Sequence, residues 1–195
     1  MKNRFDEEVE LLKGELIEMG AMIESAIEGA CAALETGDEV RARAIMNGDI
    51  AVDRKERDIE AMCLRMVLTR QPVARDLRVV SSALKMITDI ERIGDHAADI
   101  SEIVTMWHGD TPVVRPEHFR AMSTAAVEMT HRAVDAYVKR DAEVARQVIA
   151  SDDVVDALFN DVKHELADMI SADASRSTQA LDLLMIAKYF ERIGD

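Results

Sequence analysis

Glu91-Arg92-Ile93-Gly94-Asp95 returns unchanged, one hundred positions later, as Glu191-Arg192-Ile193-Gly194-Asp195. The correspondence extends upstream. Shifted back by 103 positions, Phe119, Met122, Ala126, Met129, Ala133 and Ala136 fall on Leu16, Met19, Ile23, Ala26, Ala30 and Ala33. The same shift sets Asp141 on Asp38, Arg146 on Arg43, Asp152 on Asp49, Val155 on Val52, Asp156 on Asp53 and Asp161 on Asp58. The change of shift, from 103 to 100, belongs in the turn between the second and third segments, Arg70-Gln-Pro-Val-Ala-Arg75 in one copy and Ser171-Ala-Asp-Ala-Ser175 in the other. The chain is one unit written twice.

Each unit reads as three helices. Phe5, Val9, Leu12, Leu16, Met19, Ile23, Ala26, Ala30 and Ala33 alternate steps of four and three, a seam suited to helix-on-helix packing. Gly37 and Asp38 then supply a C-cap and the next N-cap. A second helix is expected from Asp38 to Arg70, and Pro72 marks the turn into a third that continues to about Trp107. Gly109-Asp-Thr-Pro112 and Pro116 make the clearest break in the chain. The predicted fold is all-α, two tandem three-helix bundles over 1–109 and 116–195 joined by a linker at 110–115, with helices bounded near residues 36, 70, 110, 139 and 172. Three prolines and 4% aromatics, against twelve methionines, agree with helix rather than sheet.

Composition narrows the function classes. A net charge of −14 excludes nucleic acid as a main partner, because phosphate backbones demand a basic surface. No uninterrupted apolar run approaches the length of a membrane span, and Met1-Lys-Asn-Arg-Phe-Asp-Glu7 lacks a signal peptide's apolar core. The protein is expected in the cytoplasm, meeting membranes only through partners. Cys31 and Cys63 sit singly among small or apolar neighbours and read as core residues. No nucleophile elbow, P-loop, CxxC or glycine-rich phosphate cradle occurs, so no enzymatic activity is expected.

The acids carry the functional signal. On a helical wheel, Leu77, Val80, Leu84 and Ile87 define an apparent buried stripe, and Glu91 and Asp95 continue it within about 20° of its centre. Glu191 and Asp195 do the same behind Ala180, Leu184 and Ala187. On the second helix Asp49 and Asp53 are one turn apart, as are Asp152 and Asp156, at the edge of the stripe that Val52, Ile59 and Cys63 set. If the helices pair antiparallel about a turn near residue 72, Asp53 lies level with Glu91 and Asp49 with Asp95. Asp156 then pairs with Glu191, and Asp152 with Asp195. Four carboxylates at one level repel unless a cation sits among them. Either a hard or borderline metal ion (magnesium, manganese, calcium or iron) fills that role, or an Arg or Lys from the first helix or a partner chain does.

Other positions are weaker. Asp99 extends the Glu91–Asp95 ladder by a turn as a candidate peripheral ligand, and His96 points about 100° away from Asp95. Glu128-x-x-His131 matches half of a di-iron carboxylate motif; a ferritin-like metal oxidase, the rival reading, needs a second copy. Ile90, Ile93, Ala97 and Ile100 form a second apolar face, expected to meet the other bundle, another subunit or a partner.

Gln71-Pro-Val-Ala-Arg-Asp-Leu-Arg78, Glu91-Arg-Ile-Gly-Asp-His-Ala97, the opening Phe5-Asp-Glu-Glu and Gly48-Asp-x-x-Val-Asp53 together resemble the signature of the PhoU family of phosphate-transport accessory proteins. The resemblance implies metal, often as multinuclear clusters, at paired E(D)xxxD motifs. Carried over by position, these are Asp49, Asp53, Glu91 and Asp95 in the first copy and Asp152, Asp156, Glu191 and Asp195 in the second. It also implies a non-enzymatic regulator that represses the phosphate-starvation response, acting between the Pst phosphate ABC transporter, through its ATPase, and a sensor histidine kinase. The metal is expected to be iron, manganese, magnesium or zinc, and the chain a homodimer or higher homo-oligomer. Asp99 departs from the family's usual Asn. The sequence given also stops at Asp195, inside the last motif, so the second site is expected to be frayed and the weaker of the two.

Overall fold

The computed structural model describes residues 4–107 and 118–195, which form six long helices and one short 3₁₀ turn. They are α1 (Arg4–Thr36), α2 (Glu39–Arg70), α3 (Arg75–Met106), α4 (His118–Lys139), α5 (Ala142–Ala172) and α6 (Ser177–Gly194), the 3₁₀ turn (Ala174–Arg176) preceding α6. No strand occurs among the described residues. The expected linker lies outside them.

The duplicated caps form as read. Asp38 accepts from Arg41 N at 2.9 Å, and its counterpart Asp141 accepts from Glu143 N and Val144 N at 2.9 and 3.1 Å. The residue before each Asp is left-handed: Gly37 has φ 67°, whereas the second copy places Arg140 there at φ 57°. The two inter-helix turns differ where the shift in register demanded. Gln71 and Ala74 turn the first at φ 48° and 50°, while Asp173 turns the second by accepting from Ser175 N at 3.0 Å.

Within each half the three helices pack on one another, and the halves pack through α1 against α4 and α3 against α6. One apolar core runs through both halves. It contains Leu16, Met19 and Ile23 of α1, Ile59 and Cys63 of α2, Ile87, Ala97 and Ile100 of α3, Phe119 of α4 and Phe190 of α6. Cys31 and Cys63 are buried as expected, and burial pushes the Cys63 thiol up to about 11. Ion pairs fix the register of α1: Arg70 grips Glu8 at 2.5 Å, Lys55 reaches Glu15 at 2.7 Å, and Arg120 binds Glu35 across the halves at 2.5 Å.

The core on α3 is centred elsewhere than the wheel placed it. Leu77 is 43% exposed and Leu84 only half-buried, whereas Val80, Ala83, Ile87, Ile90, Gly94, Ala97 and Ile100 are buried. The second apolar face is therefore not a spare surface. It is where α3 meets α6, and the two contacts merge into one wide buried arc that leaves the Leu84 line at its margin. α6 repeats the displacement, burying Leu183, Ile186 and Phe190 while Leu184 stays half-buried. The seams also slip locally: Ile27 rather than Ala26 is buried on α1, and Val134 rather than Ala133 on α4.

Candidate metal centres

That displacement moves the acids from the middle of the core to its rim. Asp95 is exposed and Glu91 half-buried, correcting the expectation of carboxylates in full core register. Asp49 and Asp53 are half-buried at the edge of the stripe of Val52, Ile59 and Cys63, as the spacing required. A solvent-edged group of acids can keep its charge, which a fully buried one could not.

The four acids of the first half nevertheless act on one another. Burial, then the charges of Asp95, Asp53 and Asp99, pushes Asp49 up to about 6. Glu91 is raised by burial, Asp95, Glu56, Asp53 and Asp49, and Asp95 by burial, Asp99 and Asp53, with His96 opposing. Thr88 Oγ1 donates to Glu56 Oε1 at 3.3 Å, which fixes the α2–α3 register in the antiparallel alignment inferred from the turn. Glu56 is thus a fifth acid that sequence spacing alone passed over. It lies one turn beyond Asp53, and the i, i+3 step was the available signal.

The second half repeats the pattern with one change. Asp152 is half-buried and raised by burial, then Asp156, Asp195 and Glu191; Asp156 and Asp195 are exposed. Glu191 is buried at 9% exposure and ion-paired to Lys188. The equivalent of Lys188 in the first half is Thr88, which brings no charge. A basic partner is therefore found for one acid of each half, Lys188 for Glu191 and Arg57 for Asp53 at 3.1 Å, each supplied from the same helix rather than from the first helix or a partner.

The sharpest observation is a matched pair of atoms. Asp49 Oδ1 and Asp152 Oδ1 are both buried without a hydrogen-bond partner, and each faces a glycine of the repeated motif. A Cβ at Gly94 would lie 3.2 Å from Asp49 Oδ1, and one at Gly194 would lie 3.3 Å from Asp152 Oδ1. A buried carboxylate oxygen with no donor costs on the order of 1–3 kcal/mol, which either a proton on the carboxyl or a cation beside it would relieve. Asp49 lines a cavity of about 460 Å³ with Met22, Ile45 and Val52. Asp152 and Asp195 line another of about 550 Å³. Among the described residues no three His, Cys, Asp or Glu side chains converge closely enough to hold an ion as they stand, so closure around a metal requires rotamer changes at the exposed acids. The donor set, all oxygen and rimmed by solvent, fits a hard or borderline cation.

α3 carries two chemistries. Its Lys85 and Arg92, with His96 and Asp89, line the cavity beside Asp152, so basic side chains of the first half face the acids of the second. His96 stacks on Tyr189 with ring centroids 5.5 Å apart, and its buried Nδ1 lies 3.6 Å from Asp99 Oδ2, beyond hydrogen-bonding distance. Asp99 is thus at a border, adding charge to Asp49 and Asp95 while helping to raise the Tyr189 phenol, whose larger cause is burial. Glu128 and His131 are exposed on α4, and His131 Nδ1 sits 3.1 Å from Glu24 of α1, which removes them from either carboxylate group.

The family model of the PhoU domain matches twice, over residues 16–104 and 119–195. The chain belongs to the PhoU family. A phosphate-specific transport system accessory protein PhoU homolog of Clostridium acetobutylicum is 36% identical over 192 residues, covering 98% of this chain and 88% of the relative. One from Aquifex aeolicus is 32% identical over 95% of this chain and 84% of its own length. The crystal structure of PhoU from Pseudomonas aeruginosa superposes with a TM-score of 0.92 at 29% identity, covering 98% of this chain and 92% of that one. Two PhoU domains, each of three helices, account for the repeated motif.

In this PhoU-family chain Gly94 is a direct probe of the first acidic group. Gly94→Ala adds helix propensity worth about 1 kcal/mol but brings its methyl 3.1 Å from Ile23 Cδ1 and 3.2 Å from Asp49 Oδ1. Both neighbours are side-chain ends that can yield. Thermal stability of the metal-free protein should therefore change little, while metal titration should show weakened binding. Unaltered metal affinity would mean that the Asp49 oxygen facing Gly94 takes no part.

Proposed function

We propose that the chain is a metal-binding regulatory adaptor of phosphate homeostasis. It restrains phosphate uptake and the phosphate-starvation response when phosphate is plentiful, acting in the cytoplasm between the ATPase of a phosphate ABC transporter and a sensor histidine kinase, as a homodimer or higher homo-oligomer and not as an enzyme. The relatives' shared description as accessory proteins of a phosphate-specific transport system supports the setting. No described helix is long and apolar enough to cross a membrane, which suits a role exercised through a membrane-embedded partner.

The observation that carries metal binding is the matched pair of orphaned oxygens on Asp49 and Asp152. Asp49, Asp53, Glu91 and Asp95, with Asp99 at the periphery, would hold iron, manganese, magnesium or zinc in the first half. Asp152, Asp156, Glu191 and Asp195 are the corresponding set. A bound cation supplies positive charge that draws α2 to α3, or α5 to α6. The protein's own residues set how firmly, through the orientation of the Asp and Glu oxygens and the glycine gap that admits them.

Affinity capture from phosphate-replete cells, with elemental analysis of the chelator-free protein, tests both parts. The transporter ATPase and a histidine kinase should co-purify with metal-loaded chain. Capture of neither would remove the adaptor reading, and metal-free protein from metal-replete cells would remove the ion.

The two halves should differ. Lys188 already neutralises the buried Glu191, so metal must displace it, whereas Thr88 imposes no such competition on Glu91 and the Arg57 that pairs with Asp53 is largely exposed and readily solvated. The first half is expected to bind more tightly, Asp95→Asn to lose more metal than Asp152→Asn, and Lys188→Thr to raise affinity at the second half. Equal losses in the two Asn variants, measured by metal titration, would contradict this ordering.

A further inference from the structure

A third cavity adjoins the one beside Asp152, sharing Ala133, Val148 and Ile149 with it, but none of the candidate metal ligands lines it. It is bounded by the start of α3, the end of α4 and the start of α5, and has a volume of about 570 Å³, large enough for a metabolite. Its floor is apolar, built from Val79, Ala145 and Val148. Its mouth carries Arg75, Arg78 and Arg140. Among the described residues no carboxylate lies within ion-pair distance of these three guanidinium groups. That is a notable gathering in a chain of net charge −14. The one acid lining the cavity, Asp141, is occupied in capping α5.

Two local features add positive character. α3 starts at Ala74 with no side-chain cap, so the positive end of its dipole opens beside Arg75 and Arg78. Arg140 keeps a left-handed backbone, φ 57°, where the first half has glycine, and so holds a charged side chain at the mouth at a conformational cost. Tyr137 spans the cleft, its hydroxyl donating to Val79 O at 2.7 Å.

We propose that this inter-bundle cleft binds a small phosphorylated molecule with an apolar body, its phosphate among Arg75, Arg78 and Arg140 and its body on the Val79–Ala145–Val148 floor. Three guanidinium forks match the three terminal oxygens of a phosphate monoester better than the two of a carboxylate. An acidic protein segment fits less well. It would have to continue past the adjoining chamber, where Asp6, Glu10 and Asp76 stand and where Lys13 and Lys139 are already paired with Glu10 and Asp135.

Fluorescence anisotropy of 1-naphthyl phosphate with the full chain tests the site. Saturable binding is expected, with 1-naphthoate weaker and 1-naphthol showing no dependence on the arginines. Arg78→Gln and Arg140→Asn, the latter keeping a residue tolerant of the left-handed backbone, should each weaken binding about tenfold. Both positions are exposed, so melting temperatures should stay at wild type. Ala145→Trp should block the floor with every arginine in place. Equal affinity of wild type and the Arg78→Gln/Arg140→Asn double variant would overturn the proposal. So would absence of saturable binding at millimolar probe, or capture of a glutamate-rich peptide while naphthyl phosphate fails.

Discussion

Replacing Asp49 by Asn should make the metal-free protein more stable at neutral pH while weakening its hold on metal. Asp49 titrates near 6 in the folded chain against 3.8 for the free side chain. A carboxyl whose folded value lies above its unfolded value favours the protonated, folded form. Its ionisation therefore costs nothing below about pH 4, becomes progressively destabilising up to about pH 6, and is fully destabilising above that. Glu91, Asp95 and Asp152 are shifted in the same direction and add to the slope. The undiscounted linkage for Asp49 is about 3 kcal/mol; its partial exposure reduces this to roughly 1–2 kcal/mol. Asn keeps the shape and removes the charge. The expected result is a metal-free melting curve that shifts upward at pH 7 and flattens between pH 4 and 7, alongside a lost or much smaller stabilisation by added metal, since bound ion contributes RT ln(1 + [L]/Kd). A variant that is less stable than wild type without metal would mean that Asp49 is held by a partner rather than repelled by its neighbours.

The largest loss of stability is expected from Phe190→Ala. Phe190 is fully buried on α6, its ring 6.1 Å from that of Phe119, and Phe119 O lies 4.0 Å from Cys31 Sγ on α1. Truncation at such a position costs about 3–5 kcal/mol, the sum of lost transfer energy and a cavity that rigid helices cannot close. Because one core runs through both halves, the damage should spread across the repeat boundary. Trp107 offers a local probe, since its Nε1 donates to Asp182 Oδ2 at 3.1 Å and so ties α3 to α6. Trp107 fluorescence and far-UV circular dichroism should report one coincident, earlier unfolding transition in urea. Two separated transitions, with the first half unfolding as in wild type, would show that the halves fold independently.

Much of this was legible in the sequence because it is local. Helix ends at 36, 70 and 139 followed from Gly37, Asp38, Pro72 and Asp141, residues whose backbone preferences act where they stand, and the end at 172 followed from the repeat. The α3 end at Met106, capped at Trp107, fell where the pattern ran out, at about Trp107. The level pairing of Asp49 with Asp95 followed from one turn and a constant rise per residue. What escaped was what depends on the neighbouring half. The wheel through Leu84 assumed one contact surface for α3, and the α6 contact rotated the true core toward Ile90, Gly94 and Ala97. Lys188 stands three residues before Glu191, a readable spacing, but only packing showed that Glu191 is buried enough to need it. Arg75 and Arg78 stand in the Gln71–Arg78 stretch, but no spacing sets Arg140 beside them, because a cleft between repeats gathers residues that sequence keeps far apart.

α3 presents Glu91 and Asp95 to α2 on one side and Arg92, Ile93 and His96 to the second half's cavity on the other, so the two acidic groups share a wall. A stiff helix cannot reposition one side alone: any rotation that brings Glu91 and Asp95 onto an ion also resets the distance between Arg92 and Asp152. On the proposed metal binding, occupancy of one half would enter the binding free energy of the other, and thermodynamic reciprocity would make the influence equal in both directions. Two such ions would report to each other through a single rod, and the chain would respond to metal in a graded way from two unequal inputs.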